Sequence, residues 1–247
     1  MLGWPAERAA EVAGAYAALM AGAPDDLGGG LALLNAPPAP FVPPSLQGAP
    51  IAAVLVLWTG AHDEGEAPLR PLRELAPAFD SVASVRYAAL QGLFERPADE
   101  QVPTRAHGEG GFLAGLPPEA VAAIAESAAG RPSPLGSILL QPLGGAFARV
   151  PEQAIPLGRR DAAWLWQVGT AWLDPAEDEP SRAWIARVRS ALGPWVVGGS
   201  YPNLIPDADP ARLQAAYAPA VWERLRSIRG VWDPEGVFAA GHAIPLP

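Results

Sequence analysis

Few polar side chains in this 247-residue chain are spaced to do chemistry. The three histidines, His62, His107 and His242, stand far apart and have no carboxylates at ligand spacing, so no metal site is expected. The acids of "HDEGE" (62–66) read as the solvated start of a helix. Cysteine is absent, which removes thiolate ligands, a cysteine nucleophile, disulfides and any sulfur tether to a cofactor. There is no P-loop, no HExxH and no G-x-S-x-G elbow. "DDLGGG" and "GEGGFL" are glycine-rich but lack the strand-to-helix setting of a dinucleotide fingerprint. No Ser-His-Asp set can be assembled from sequence, because triads are recognised by geometry. Tryptophan is the unusual residue: there are nine, with Trp164, Trp166 and Trp172 in one segment. Two readings stay open for them, core packing or a sheet face of Trp, Tyr and Gln that lines a site for a flat ring.

The elements that would position such residues follow from periodicity. Val12, Tyr16, Leu19 and Met20 give an amphipathic helix that starts near Pro5. "GLALLNAP" is a strand. "NAPPAPFVPPSLQGAP" (35–50) is a proline-rich surface loop, because strand patterns resume directly beyond it. "IAAVLVLWTG" (51–60) is apolar on both faces and reads as a central strand. A short helix carries Leu69, Leu72 and Leu75 and is limited by Pro71. "SVASVRYAALQGLF" is extended, then turns or forms a short helix. "LPPEAVAAIAESAAG" (116–130) is a helix with proline at its start and glycine at its end. "GSILLQPLGGAFARV" (136–150) reads as two strands around a Gly-Gly break. In "DAAWLWQVGTAWLDP" (161–175), Trp164, Trp166 and Val168 share one strand face, and Leu165 and Gln167 share the other. A helix follows with Trp184, Ile185, Val188 and Leu192. The last helix is expected over 209–230, with Asp209 as N-cap and Gly230 past its end.

Strands that come in adjacent pairs imply an α+β fold: a mainly antiparallel sheet backed by helices, with a C-terminal helix and an extended tail. The net charge of −9 repels phosphate backbones and argues against nucleic-acid partners. The longest apolar run, Ile51–Trp58, is too short for a bilayer, which needs about 20 residues. No signal-peptide pattern opens the chain, so a cytoplasmic location is expected.

Taken in order, several stretches resemble one family. They are "PPSLQGAPIAAVLVLWTGAHDEGEAPLRPLREL", "VRYAALQ", "GGFLAGLPPEAV", "LQPLGGAFARVPEQAIPLGRRDAAW", "GGSYPNL" and "AYAPAVWERLRSIRGVWDPEGVFAAGHAIP". Together they are similar to the berberine bridge enzyme-like FAD-linked oxidases of the vanillyl-alcohol oxidase superfamily. The resemblance covers most of the chain from about residue 45 and is most specific in the closing stretch. It implies a substrate-domain-like region over 1–198 and, over 199–247, a segment that returns to a flavin domain. The flavin-binding domain itself has no counterpart in the chain.

By the same resemblance, Tyr201-Pro202-Asn203 matches the family's Tyr-x-Asn near the flavin. Asn203 is then a flavin contact and Tyr201 a catalytic residue that serves as base. The other reading is a structural Tyr and a turn-forming Asn. Gln141, Trp166 and Gln167 are candidates for substrate contact. Arg159 and Arg160 match a basic position and brace the fold. One departure stands out. Where the family ends in Asn-x-Asn-Ile-x-Pro, this chain has Gly241, His242, Ala243, Ile244 and Pro245. His242 is the polar side chain left near the flavin. Each lost hydrogen bond costs roughly 0.5–1.5 kcal/mol, so FAD binding by this chain alone is expected to be weak.

The expected function is the substrate-domain part of an FAD-dependent oxidoreductase acting on alcohol, sugar or alkaloid-like C–H bonds, inactive alone. The alternative is a non-catalytic binding domain that kept the fold and lost the cofactor. Expected partners are a small-molecule substrate and a separate flavin-binding chain, with self-association through an exposed docking face.

Overall fold

Alternation of side chains decides the architecture. In the computed structural model, residues 1–92, 104–205, 210–238 and 244–247 are described. The strands are β1 (Leu2–Pro5), β2 (Leu27–Asn35), β3 (Pro50–Trp58), β4 (Phe79–Asp80), β5 (Arg105–Leu113), β6 (Ser137–Pro142) and β7 (Trp164–Trp172). They form one antiparallel sheet of 7 strands in the order β4-β1-β3-β2-β6-β7-β5. The helices are α1 (Ala9–Ala21), α2 (Glu66–Glu74), α3 (Tyr87–Gln91), α4 (Pro118–Ala129), α5 (Gly145–Arg149), α6 (Asp178–Leu192), α7 (Pro210–Ala215) and α8 (Pro219–Trp232). This is the α+β fold that the strand pattern implies.

One sheet face carries the main core. Along β7, Trp164, Trp166, Val168, Thr170 and Trp172 are buried, while the residues between them are half-exposed. Their face meets Tyr16 of α1, Leu72 of α2, Ile124 of α4, and Trp184, Ile185 and Val188 of α6. Tyr16 packs edge-on against Trp164 with ring centres 5.8 Å apart. Trp184 Nε1 donates to the Ser127 carbonyl at 2.8 Å and so ties α6 to α4. Most of the tryptophans are therefore core residues, each burying a large ring whose N–H needs a partner.

Several expectations change. A strand is absent after Gly144: Gly145 takes φ +58, and the chain enters α5 instead. The helix expected over 209–230 is two. Ala218 is extended ahead of Pro219, as a residue before proline prefers, and Pro219 opens α8. Tyr217 and Trp222 stack across the break at 5.9 Å. Gly230 lies inside α8, and the Asp209 cap lies outside the described residues. The first element is a strand rather than a helix. It runs through Pro5, and a 3-10 turn leads into α1. β5 is a full strand in spite of Gly108, Gly110 and Gly111. The proline-rich loop packs inward. Its Val42 is buried with Ile51, Ala53 and Phe79 on the sheet face away from the helices.

At one end of the sheet, Arg105 grips Asp178 with Nε and Nη2, both at 2.5 Å, and Trp172 Nε1 donates to the same carboxylate at 2.7 Å. These bonds, Arg105's foremost, hold the Asp178 carboxyl down to about 2. The unfolded carboxyl titrates near 3.9, so this latch is complete above roughly pH 5 and is lost as pH falls from about 4 through 2. In an acid titration followed by tryptophan fluorescence, Asp178→Asn should flatten the limb in that window.

The two faces should also differ in tolerance. Leu140→Ala on the core face should cost about 2–5 kcal/mol. Leu139→Ala on the other face should change stability by within about 0.5 kcal/mol. Urea midpoints of the two variants give the comparison.

Candidate functional site

The sheet face away from the helices carries small and larger residues aligned in register. One row crosses it from edge to edge: Phe79, Gly3, Ala53, Ala32, Leu139, Gln167 and Gly110. A parallel row brings together Gln141, Leu165 and Phe112. Directly paired residues point to the same face, so Gln141 and Gln167 share it as diagonal neighbours on adjacent strands. Gln141 is exposed and Gln167 half-exposed. Neighbouring strands lie about 4.8 Å apart, so the amides stand within reach of one small flat ligand.

Both ends of this face are covered. At the β3 side, the proline-rich loop and Phe79 bury Ala53 and Ile51. At the β5 side, the segment after Val197 lies across the strand. A Cβ on Gly110 would sit 2.3 Å from Leu204 Cδ1, so only glycine lets that segment down onto the sheet. Gly198 takes φ +66, and a Cβ on Gly199 would lie 2.1 Å from the Ala215 carbonyl oxygen of α7. The glycines of "GGSYPN" therefore serve a tight turn and close backbone packing. They set down Tyr201 with its ring edge-on to Phe112, centres 6.4 Å apart.

Tyr201 and Asn203 meet. Asn203 Nδ2 donates to Tyr201 Oη at 3.2 Å across a 3-10 turn, Pro202–Leu204. Since Tyr201 packs edge-on against Phe112, it borders the row that holds Leu165 and Gln141. The structure thus gathers Gln141, Gln167, Tyr201 and Asn203 around one face. Trp166 is elsewhere: it is buried under the helices, on the opposite side of the sheet from Gln167. His242 lies outside the described residues. Arg159 pairs with Asp161, and Arg160 is buried against Phe147.

Two residues that the sequence did not single out join the site's surroundings. Tyr217 sits close to Tyr201, and its phenol is pushed up by burial and by that neighbour. Its place on a helical stripe hid it. Glu109 is a buried carboxylate in β5. Arg189 Nη1 of α6 reaches both its oxygens at 2.9 and 2.7 Å, Arg212 Nη2 of α7 comes within 3.4 Å, and His107 Nε2 within 3.7 Å. This clamp fastens the C-terminal segment to the sheet edge. Its only sequence signal is an acid amid glycines of an apolar strand. Among the described residues no cluster of His, Cys, Asp and Glu could hold a metal ion, and no helix is long and apolar enough to cross a membrane.

Comparison with known proteins places this geometry. No protein-family model matches the chain. The FAD-linked oxidoreductase YgaK of Bacillus subtilis is 28% identical over 190 residues, which is 76% of this chain and 42% of YgaK. In fold, the chain matches BBE-like 1 of Physcomitrella patens with a TM-score of 0.78 at 15% identity, covering 100% of this chain and 53% of that one. It also matches a berberine bridge enzyme solved with (S)-reticuline, with a TM-score of 0.77 at 16% identity over 99% of this chain and 53% of the enzyme. The chain is thus similar in sequence to FAD-linked oxidoreductases and in fold to berberine bridge enzyme-like proteins, and it spans about half their length.

The glycine requirement is testable. Gly199→Ala should destabilise the C-terminal segment by about 1–3 kcal/mol through overpacking. Amide hydrogen exchange should quicken in residues 199–222 while the central strands keep their protection.

Proposed function

We propose that this chain is the substrate-side portion of an FAD-dependent oxidoreductase of the berberine bridge enzyme-like kind. The observation that carries the reading is the gathering of two glutamine amides and a bonded Tyr-x-Asn pair at one flat sheet face. The likeness to FAD-linked oxidoreductases supports it. These residues fit a flavin ring chemically. The face between its two covered ends leaves a bench for a planar group, and amides both donate and accept along a ring edge. FAD, when bound, would supply the hydride acceptor and return electrons to dioxygen.

The chain's own residues divide the remaining work. Gln141 and Gln167 orient the substrate so that a C–H beside oxygen or nitrogen points out of the sheet; alcohols, sugars and alkaloid-like amines have such bonds. Asn203 fixes the Tyr201 phenol through the hydrogen bond it donates, and its carbonyl and second N–H remain for the ring edge. Tyr201 acts as the base only in its phenolate form, which takes the substrate's hydroxyl proton and becomes the neutral phenol. His242 is assigned to the cofactor by its place in the closing sequence stretch alone. The leading contacts of a flavin-binding portion are Trp232 and Phe238, 79% and 80% exposed around a turn in which Asp233 accepts from the Val237 and Phe238 amides. Without that portion the chain is inactive and self-associates through this apolar surface. A second reading, a binding domain without cofactor, is favoured by Gly241 and Ala243 in place of two amides.

The test joins the chain to the flavin-binding part of a relative such as YgaK. FAD added to the chain alone should keep the visible spectrum of free flavin. Joined, the flavin should bind, and Tyr201→Phe should slow its reduction by substrate about 100-fold or more with the flavin spectrum unchanged. A reducible flavin held by the chain alone would sink the claim of inactivity. Failure of the joined protein to bind flavin would favour the second reading.

A further inference from the structure

A guanidinium with no carboxylate partner among the described residues lines a groove remote from the flat face. The groove, about 1100 Å³ in volume, runs along α1 between that helix and the chain around 115–118 and 142–144. Its walls include Gly14, Ala17 and Ala21 of α1, together with Pro118, Leu143 and Trp164. Gln141, Gln167, Tyr201 and Asn203 do not line it. Arg160 does, and it is only 8% exposed. Its Nη1 donates to the Phe147 carbonyl at 3.2 Å, and its Cζ sits 4.4 Å from the Phe147 ring centre. Its Nε has no partner. Among the described residues no carboxylate pairs with it, since the adjacent Asp161 is held by Arg159. A buried guanidinium with no carboxylate beside it is an uncompensated charge, and such a charge attracts an anion.

We propose that this groove binds a monocarboxylate with an apolar body, its carboxylate on Arg160 and its body along α1. The charge selects the head group. One uncompensated guanidinium balances one negative charge, which is what a carboxylate carries. A single guanidinium leaves the second charge of a dianion such as a phosphate monoester unmatched among apolar walls. The walls select the body. Apart from Arg160, Asp161 and the Trp164 indole, every lining residue is Ala, Gly, Leu, Met, Pro or Val, which leaves sugar or nucleotide hydroxyls unmatched. This site does not depend on the flavin reading.

Calorimetric titration of the full chain with octanoate, octanol and acetate separates the contributions. Octanoate should bind. Octanol, which lacks the charge, and acetate, which lacks the body, should each bind about tenfold more weakly or worse. Arg160→Gln should lower octanoate to the level of octanol. Gly14→Leu is the independent variant. A Cβ there meets nothing within 4 Å, and leucine favours the helix over glycine, so the protein should fold at least as well. Its side chain fills the groove and should weaken octanoate about tenfold. The proposal is overturned by any of three results: no binding of octanoate at millimolar concentration, equal binding of octanoate and octanol, or a folded Gly14→Leu protein that binds octanoate as its parent does.

Discussion

The strict two-residue alternation of the sheet is the constraint on which the rest of the molecule depends. Along β7 every second side chain enters the helix-side core, so the intervening residues must face the other way. A slip of one residue in any pairing would send Trp164, Trp166 and Val168 to the open side and Gln167 into the core. The cost of burying an unmatched amide and exposing three large apolar groups fixes the register. Because Ala53, Ala32, Leu139, Gln167 and Gly110 are aligned by that same register, the flat face is a by-product of core packing. The site cannot shift without the core shifting as well.

The two ends of the open face are closed by different physics. At the β3 side the closure is apolar: a loop too rich in proline for regular structure drops Val42 onto Ala53 and Ile51. At the β5 side it is polar and steric. Glycines let the backbone approach, and buried Glu109 draws in arginines from α6 and α7. Removing one partner of such a buried ionic group is strongly destabilising, whereas the intact group adds little net stability. Its contribution here is positional. It holds α7, and through Gly199 the turn that carries Tyr201 and Asn203, against the sheet.

The chemistry of the two candidate ligand regions differs accordingly. The flat face presents neutral amides and a phenol, which suit a planar heterocycle and a hydroxylated or aminated substrate. The groove beside α1 presents one buried cation in an apolar setting, which suits an anion that brings its own hydrophobic body. Arg160 reads at first as a brace, and its stacking on Phe147 does brace α5. Its unmatched Nε sets it apart from Arg159, whose charge is already satisfied by Asp161.

The class of fold, the central strands, the helices α1, α4 and α6, and the likeness to a flavin-linked family are legible in the sequence, because these rest on local periodicity and ordered motifs. The sequence also separated Gln167 from Trp166, since alternation alone assigns them to opposite faces of one strand. It did not yield β1, β5 or the break at Pro219. Short or glycine-rich segments carry weak local signals, so pairing with distant strands decides β1 and β5, whereas the break has a local cause in Ala218-Pro219 that a continuous helical stripe masks. Which polar residues meet was likewise left to tertiary structure. Gln141 and Gln167 stand 26 positions apart, and Glu109 lies 80 from Arg189 and 103 from Arg212. Contacts at such separations are set by strand register and helix docking, which no short stretch of sequence encodes.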